Sequence, residues 1–588
     1  MAEQFTSCEV KAVYVYTEYV ATLQKKVSRG CTYWQIVESR RINGKPRPVV
    51  LMHLGTAAKL LQRLSDSPSK PRTAKVLEFG AIAALWNLAD ECGLVAILDR
   101  HAPKRHQGLS CGEYLLLMAI NRCVKPCSKA SLYDWYSKTV LTRLLPAAKR
   151  ALASQRFWDH MGYFDQKRIA AMEEELTSRI IQHFQIDLRT LIFDATNFDT
   201  FIASSTPAEL PKRGHAKSKR KDLRIIGLAL LVSTDFHIPL LSHLYPGNQN
   251  DAVTFRSVTE DLAKRYRQYS KECQHITLVF DGGNTASDTI EELDKNGYHF
   301  ITSLTLTHHQ DLLTVPLQKF ASFQDPRLEG TTAYRTKKEV WGKQRTVVVT
   351  RSETLLRGQL AGIAAALTKK RSALLALRTK LHRSQLPKAR GKGYTEASLN
   401  KHLSECASGQ YISEILKVEI FKKNNRLDFR FHTDALAFDR LVRTRLGKRI
   451  LCTDNHDWST QEIILGARSQ SHVERAFREM KDPHWISFSP SFHWTDQKLR
   501  VHAFSCVLAL ILSSLLQRKV AQAGLSRSAS SLFEVLSEIK ELVTLFPSGE
   551  KNGPGKPRAE YILSQRSPDQ HRLCEALGVY RLAKSYAP

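Results

Sequence analysis

The feature that most constrains the fold is a succession of short apolar segments between residues 188 and 304. Helical patterns lie between them, at 254–269 and 289–296. Short strands that alternate with helices predict an α/β fold, in which helices cover the faces of one sheet. The segments are Leu188–Phe193, Ile225–Val232, Ile238–Tyr245, Ile276–Phe280 and Tyr298–Leu304.

Two of these predicted strands end in an aspartate. Asp194 follows the first segment and Asp281 follows the fourth. Carboxylates at the ends of adjacent strands can share one crevice at the edge of a sheet, where ligands of α/β sheets bind. A single aspartate that closes a strand is more often a turn or cap residue, so the pair carries the prediction.

A third carboxylate lies on a predicted helix. Glu474, Arg478 and Lys481 are spaced i, i+4 and i+7, so they share one helix face. A salt bridge on a solvated face is one interpretation, and a metal-binding carboxylate beside two phosphate-binding cations is the other. Three carboxylates suit two-metal phosphodiester chemistry, because Mg²⁺ prefers oxygen ligands. The predicted buried stripe of this helix is Val473, Ala476, Phe477 and Met480.

The charge balance indicates a polyanionic partner. The chain has 588 residues, with 87 Lys and Arg against 57 Asp and Glu, a net charge of +30. Such an excess predicts binding to nucleic acid or to an anionic membrane surface. The longest apolar run, 501–516, is shorter than the roughly 20 residues that a membrane span needs. No signal peptide is visible in residues 1–20, and the 11 cysteines are expected to be reduced cytosolic thiols.

The N-terminal third divides into two regions. Residues 1–75 contain Asn43-Gly44 between two strand-like segments, 33–37 and 48–52, which predicts a β-hairpin. Residues 76–185 are predicted to be helical, with helix starts at Ser110 and Ser128. A helix-turn-helix that binds DNA and a plain helical bundle are both compatible with this pattern.

The C-terminal half has a weaker pattern. Residues 305–465 mix strand-like pieces with one leucine-striped helix, and 369–392 carries nine Lys or Arg without an acid. A solvated helical arm and a DNA contact both fit that charge. Residues 466–546 are predicted to contain two helices, and 547–588 a linker with a small helical tail.

A second basic segment leaves the strand of Asp194. It spans 212–224 and contains one acid, Asp222. A solvated loop is one interpretation. Binding of DNA phosphates beside the carboxylates is the preferred one, because basic clusters supply most of the affinity for nucleic acid. Its cations are Lys212, Arg213, Lys217, Lys219, Arg220, Lys221 and Arg224.

Several blocks, in order, resemble the DDE transposases of bacterial insertion sequences, in the IS-four superfamily and its sixteen-thirty-four group. The similarity runs from the N-terminal hairpin to about residue 515. Its blocks are Leu191–Phe198, a Gly…Ser-Lys…Asp-Leu-Arg stretch at 214–224, Pro246–Asp251, Val279–Asn284, Tyr298–Ile301, Val473–Lys481, His493–Thr495 and Arg500–His502.

This resemblance implies roles for individual residues. Asp194, Asp281 and Glu474 match the catalytic and metal-binding triad, which takes two Mg²⁺ ions, or Mn²⁺. Lys481 stands at its expected place seven residues after Glu474, and with Arg478 it is expected to bind DNA. The family usually has Tyr and Arg seven and four residues before the glutamate. Here these positions hold Ala467 and Gln470, and Arg468 or Arg478 are candidates to replace them.

The resemblance also implies an architecture. It is an RNase H-like catalytic core formed by 186–304 and 466–546, with a mostly β insertion domain at 305–465. The N-terminal β-hairpin and the helical DNA-binding region precede this core. The 193 positions from Asp281 to Glu474 agree, because so long an interval exceeds a loop in a compact domain.

The implied function is that of a transposase, cytoplasmic and nucleoid-associated. It would bind the terminal inverted repeats of its element, cut the ends with metal ions and transfer them to target DNA, as a homodimer that pairs two ends. Two alternatives stay open: a nuclease on the same core that cuts without joining, and an inactive DNA-binding relic.

Overall fold

The structure is a computed structural model that describes residues 21–42, 45–65, 73–103, 108–266, 275–284, 287–386, 393–424, 426–546 and 558–583. The chain forms two compact units. The first comprises 1–76 with 542–562, and the second comprises 77–541 with 563–586. The predicted Asn43-Gly44 turn, residues 387–392 of the basic segment and 547–557 of the predicted linker lie outside the described residues.

The strands and helices of the described residues are numbered in chain order. The strands are β1 Ala21–Ser28, β2 Cys31–Ile42, β3 Lys45–Gly55, β4 Thr73–Glu78, β5 Thr190–Thr200, β6 Arg224–Ser233, β7 Pro239–Pro246, β8 Thr277–Phe280, β9 His299–Leu304, β10 Ala321–Ser322, β11 Thr331–Val340, β12 Lys343–Ser352, β13 Leu416–Lys423, β14 Arg426–Thr433, β15 Lys448–Thr453, β16 Lys540–Phe546 and β17 Arg558–Leu563. The helices are α1 Ala57–Ser65, α2 Gly80–Glu91, α3 Leu94–Arg100, α4 Cys111–Val124, α5 Leu132–Tyr136, α6 Leu141–Leu144, α7 Ser154–Met161, α8 Gln166–Phe184, α9 Asp251–Tyr266, α10 Ser287–Asn296, α11 Gln310–Leu313, α12 Glu353–Ser384, α13 Glu396–Ala407, α14 Ile412–Ile415, α15 Ala435–Thr444, α16 Thr460–Arg468, α17 Gln470–Lys481, α18 Asp496–Gln522, α19 Ala529–Ser537 and α20 Pro568–Ala576.

The first unit contains an antiparallel sheet in the order β1-β2-β3. The two strands predicted on either side of Asn43-Gly44 pair with each other, with Val37 opposite Val50 and Ile42 opposite Lys45. The sequence pattern therefore located the strands of this hairpin.

A nine-stranded sheet organises the second unit, in the order β10-β11-β12-β15-β9-β8-β5-β6-β7. Strands β5, β6 and β7 form an antiparallel meander, while β8 runs parallel to both β5 and β9. Nine of the ten residues of β6 are buried, which explains its uninterrupted apolar sequence. All five strands predicted between 188 and 304 are present.

The expectation of a mostly β insertion at 305–465 is wrong for this chain. Strands β11, β12 and β15 extend the large sheet, since β15 pairs with β9. The chain between β12 and β15 has its own hydrophobic core, and most of it is helical. Helix α12 alone spans 32 residues, and its buried residues Ile363, Leu374, Leu377 and Leu381 form one stripe at helical spacing.

The helical region after residue 76 shares one hydrophobic core with the sheet. Helix α4 starts where predicted, because Ser110 and Glu113 form a capping box. Most of α4 is buried, and it packs against α18. The start predicted at Ser128 is wrong, since the next helix is only the five-residue α5. These two helices therefore do not support the helix-turn-helix alternative.

Helix α18 carries the longest apolar run. It is long and apolar enough to cross a membrane, as is the bent pair α2–α3 taken together. However, 94% of the apolar window of α18 is buried inside the protein. The apolar sequence of α18 is thus explained by its place in the core.

Candidate active site

Asp194 and Asp281 are neighbours at one end of the sheet. Strand β5 pairs in parallel with β8, with Ile192 opposite Val279. Continuing that register places Asp194, inside β5, opposite Asp281, just after β8. Adjacent parallel strands lie roughly 4.8 Å apart, so the two carboxylates emerge side by side. The structure therefore brings together the pair that the sequence predicted.

Ser303 extends this row by one strand. Phe280 is opposite Thr302 in the parallel pairing of β8 with β9, so Ser303 follows opposite Asp281. Its hydroxyl donates to Asp281 Oδ1 at 3.1 Å, and the Gly282 amide donates to the same oxygen at 2.8 Å. The sequence pattern did not indicate Ser303. This residue lies in the strand predicted at 298–304, but the sequence does not give the register of that strand with β8.

Helix α17 carries Glu474. The predicted stripe, Val473, Ala476, Phe477 and Met480, is buried as expected. Glu474 and Arg478 are exposed, and Glu474 forms no ion pair with any residue in the described part of the chain. The alternative of an i,i+4 salt bridge between them is therefore not observed.

Lys481 connects α17 with β5, the strand that contains Asp194. Its ammonium donates to Thr196 Oγ1 at 2.6 Å and lies 5.4 Å from the centre of the Phe198 ring. Both partners belong to β5, within four residues of Asp194. The contact fixes the helix that bears Glu474 relative to the strand that bears Asp194.

The charges of Asp281 and Glu474 act on the carboxylate of Asp194. Burial raises the pKa of Asp194 to about 6, with the negative charges of Asp281 and Glu474 acting in the same direction and the Lys217 ammonium opposing them. The pKa of Lys481 is lowered by burial and by the charge of Lys217, and Asp194 acts in the opposite direction. Negative charge is thus concentrated at this end of the sheet.

The donor set fits a hard divalent cation in part. Mg²⁺ is commonly held by one or two carboxylates, with phosphate oxygens of the substrate and water completing the shell. Asp194 and Asp281 meet that requirement. Among the residues that the structure describes, no group of three or more His, Cys, Asp or Glu side chains is close enough to hold one ion. Glu474 therefore stands near the pair without closing a three-carboxylate cage.

The cations of 212–224 fall into two groups. Lys217 donates to the Ala195 carbonyl at 2.6 Å, Arg220 pairs with Asp222, and Arg224 donates to the Thr206 carbonyl at 3.1 Å. These three are engaged within the protein. The other four are exposed and form no ion pair with a described residue: Lys212, Arg213, Lys219 and Lys221.

Two glycines allow close backbone contacts between this segment, the residue after β7 and strand β6. A Cβ on Gly214 would lie 2.3 Å from the Gly247 carbonyl oxygen, and one on Gly247 would lie 1.9 Å from the Ile225 oxygen. The backbones of Lys212 and Ile225 also pair with each other, with N···O distances of 3.0 and 2.8 Å. Close backbone approach explains why both positions hold glycine.

The histidine blocks near residue 500 pack inside the protein. His502 Nε2 lies 2.9 Å from the Phe488 carbonyl oxygen, and the Lys129 ammonium lies 3.0 Å from His493 Nε2. Thr495 caps α18, since its side chain accepts from the Lys498 amide. These residues position the segment that follows α17.

Taken together, the sheet and its acidic end define a carboxylate-based site on a mixed α/β fold. A family model described as the transposase DDE domain matches residues 186–511, which is more than half of the chain and includes all three carboxylates. The chain therefore belongs to the family of transposases with a DDE domain.

The remaining comparisons are distant. A cryo-EM structure of the piggyBac transposase synaptic complex with hairpin DNA is similar at 8% sequence identity, with a TM-score of 0.36. The similarity covers 78% of this chain and 78% of that chain. No curated protein sequence matches this chain significantly.

Proposed function

We propose that this transposase binds the terminal inverted repeats of its own element, cuts the DNA ends and joins them to target DNA. The observation that supports the proposal is the proximity of the three carboxylates. Asp194 and Asp281 are adjacent in the register of β5 and β8, and a hydrogen bond from Lys481 joins the helix of Glu474 to β5. Membership of the family supports the same chemistry.

The three carboxylates have distinct roles in this proposal. Asp194 and Asp281 would hold the divalent cations, two Mg²⁺ or Mn²⁺ ions, and Glu474 would complete the second site. Such ions activate the attacking oxygen and stabilise the leaving oxygen. Ser303 orients Asp281 through the hydrogen bond to Oδ1. Lys217 places positive charge beside Asp194 and offsets part of the repulsion among the carboxylates.

We further infer an RNase H-like core of the bacterial insertion-sequence type, in the IS-four superfamily and its sixteen-thirty-four group. The order β7-β6-β5-β8-β9, an antiparallel meander followed by two parallel strands, supports the core. The ordered sequence blocks support the group, and they also support a cytoplasmic, nucleoid-associated protein. The core then combines 186–304 with 466–546, and β11, β12 and β15 extend its sheet.

DNA is the partner in this scheme. The net charge of +30 and the four exposed cations of 212–224 support backbone binding, and Arg478 projects from the same helix as Glu474. Two ends must be paired before they are joined, which supports a homodimer on DNA. The helical region 76–185 remains our candidate for recognition of the repeats. Since it shares a core with the sheet, its test requires the full chain.

Strand transfer separates a transposase from a nuclease that only cuts. The full chain is incubated with Mg²⁺, a target plasmid and a pre-cut element end that carries a free 3′-hydroxyl. A transposase joins the end to the plasmid, whereas an end lacking the 3′-hydroxyl stays free. Cleavage of uncut ends without any joined product would favour the nuclease. Specific end binding without cleavage or joining would favour the relic.

A further inference from the structure

The turn between β6 and β7, residues 234–238, contains two consecutive residues with left-handed backbone conformation. Phe236 has a φ of 56° and His237 a φ of 46°. Such values are uncommon for residues other than glycine, and the strain persists only where the surrounding structure holds it. The turn therefore places the His237 side chain where a relaxed turn would not.

The imidazole of His237 is buried without a hydrogen bond. Its exposed fraction is 1%, and neither ring nitrogen has a hydrogen-bond partner among the described residues. Its Nε2 faces the carboxylate of Glu479 on α17, at 3.8 Å from Oε1. The other oxygen of Glu479 is also buried without a hydrogen-bond partner in the described chain. Buried polar groups are nearly always paired, so two unpaired groups that face each other call for an explanation.

Glu479 lies on the flank of α17 opposite to Glu474. At about 100° per residue, Glu474 and Lys481 fall on one side of the buried stripe and Glu479 falls on the other. Lys481 already joins the first flank to β5. A bond between Glu479 and His237 joins the second flank to the β6–β7 turn, and a helix held on both flanks does not rotate about its axis.

Other charged groups also face His237. Asp235, on the same turn, is paired with Arg518 of α18, so its charge is already offset. The ring of His472 on α17 lies 6.4 Å from the His237 ring, measured between centroids. Burial lowers the pKa of His472, and the charges of His237 and the exposed Arg475 act in the same direction. The carboxylate at 3.8 Å therefore remains the acceptor for a proton on His237.

The carboxylate of Glu479 points into the protein. Its side chain is 16% exposed, and it lies near the Cys123 thiol of α4. Burial raises the pKa of this thiol, and the charge of Glu479 acts in the same direction. An anion in such surroundings is stabilised by a cation beside it, and a proton on His237 supplies that cation.

We propose that His237 and Glu479 are positioning residues for the active site: protonated His237 donates to Glu479, fixes the rotation of α17 and so sets the direction of Glu474. The inference rests on the proposed function for the role of Glu474. Histidine gains and loses its proton between about pH 5 and 8. The ion pair is complete at the acid end of this range and is lost as the pH rises, because it requires the proton.

Hydrogen exchange of the full chain in EDTA tests the pair without metal or DNA. At pH 6 we expect His237→Gln and Glu479→Gln each to accelerate exchange of the α17 amides ~tenfold or more, with β6 and α18 within ~twofold of the wild type. At pH 8.5 both variants should match the wild type measured at the same pH. His243→Gln, which changes a half-buried histidine of β7, is the matched control and should exchange like the wild type at both pH values.

Three results of this experiment would overturn the proposal. Exchange of α17 that is unchanged in both variants would show that the pair does not hold the helix. Acceleration that is equal in α17, β6 and α18 would make the pair a contributor to overall stability only. Acceleration at pH 6 that persists at pH 8.5 would show that the proton on His237 plays no part.

Cleavage of a labelled element end in Mg²⁺ gives the second readout. We expect Glu479→Gln to lower kcat ~tenfold at pH 6 and by less than ~twofold at pH 8.5, with an unchanged KM for the end. A pH profile identical to that of the wild type would overturn the positioning role. A chain with the predicted exchange pattern that never cuts DNA would contradict the proposed function alone. A chain that cuts and joins ends, with α17 exchange that ignores both variants, would contradict the pair alone.

Discussion

At the residue scale, the same residue types serve different purposes within a few positions. Lys217 donates to a carbonyl of β5, while Lys219 and Lys221 are exposed cations without an ion pair in the described chain. Composition cannot separate them, because the distinction depends on how 212–224 folds back on its strand. Two residues outside that segment give the sharpest tests at this scale.

Lys129 should make stability depend on alkaline pH. Burial lowers the pKa of its ammonium to about 8, beside Trp158 and His493. Between that value and its ordinary pKa the unfolded chain binds more protons, so stability rises with pH. Relative to Lys129→Met, we expect the wild type to gain about 2 kcal/mol of unfolding free energy from pH 7.5 to 10. Urea unfolding measures it, with Lys125→Met as the exposed control. A parallel pH profile in wild type and Lys129→Met would refute the assignment.

Gly247 should tolerate no side chain. A Cβ there would lie 1.9 Å from the Ile225 carbonyl oxygen, so backbone must move. We expect Gly247→Ala to cost about 3 kcal/mol of unfolding free energy. Gly283→Ala is the control, because its Cβ would meet no atom within 4 Å. Equal stability of the two variants would show that the backbones of Gly247 and Ile225 do not approach each other as described.

At the element scale, local patterns predicted what depends on neighbouring residues. Alternating strands and helices located β5 to β9, and the 3.6-residue period identified the buried face of α17. The sequence pattern did not predict which distant strands pair with each other. Nothing in residues 331–352 reveals that β11 and β12 join the core sheet through β15, and nothing near Ser303 reveals its register with Asp281. These outcomes depend on strand partners about a hundred residues away or on a register that the sequence leaves open.

The basic segment 212–224 gives the prediction at this scale. Its exposed cations should bind DNA phosphates, and each phosphate that is no longer neutralised lowers the salt slope of log K by about 0.9. Replacing Arg213, Lys219 and Lys221 with Gln should therefore flatten the slope by roughly two to three, with little change in sequence discrimination. Binding to element ends across a salt series measures this. The neutral double variant Arg220→Gln/Asp222→Asn should keep the wild-type slope. If the triple variant also keeps the wild-type slope, the segment is a solvated connector that does not bind DNA phosphates.

At the scale of the whole molecule, one core supports the second unit. Helices from 77–185, the large sheet and α18 share it, while the chain between β12 and β15 has a separate core. This arrangement places the carboxylates on rigid elements and leaves the basic α12 on a separate module. It supports our proposal that the sheet carries the reacting groups and that the elements around the sheet bind the DNA.

The central claim is that Asp194, Asp281 and Glu474 bind the metal ions of DNA cleavage. Metal-dependent cleavage of a labelled element end by Asp281→Cys tests it most directly, because a thiolate binds Mg²⁺ poorly and softer Mn²⁺ better. We expect the variant to lose at least ~100-fold in Mg²⁺, about 2.7 kcal/mol, and to recover in Mn²⁺, while still binding the end. The exposed Asp288→Cys should behave as wild type in both metals. Full activity of Asp281→Cys in Mg²⁺ would contradict the account.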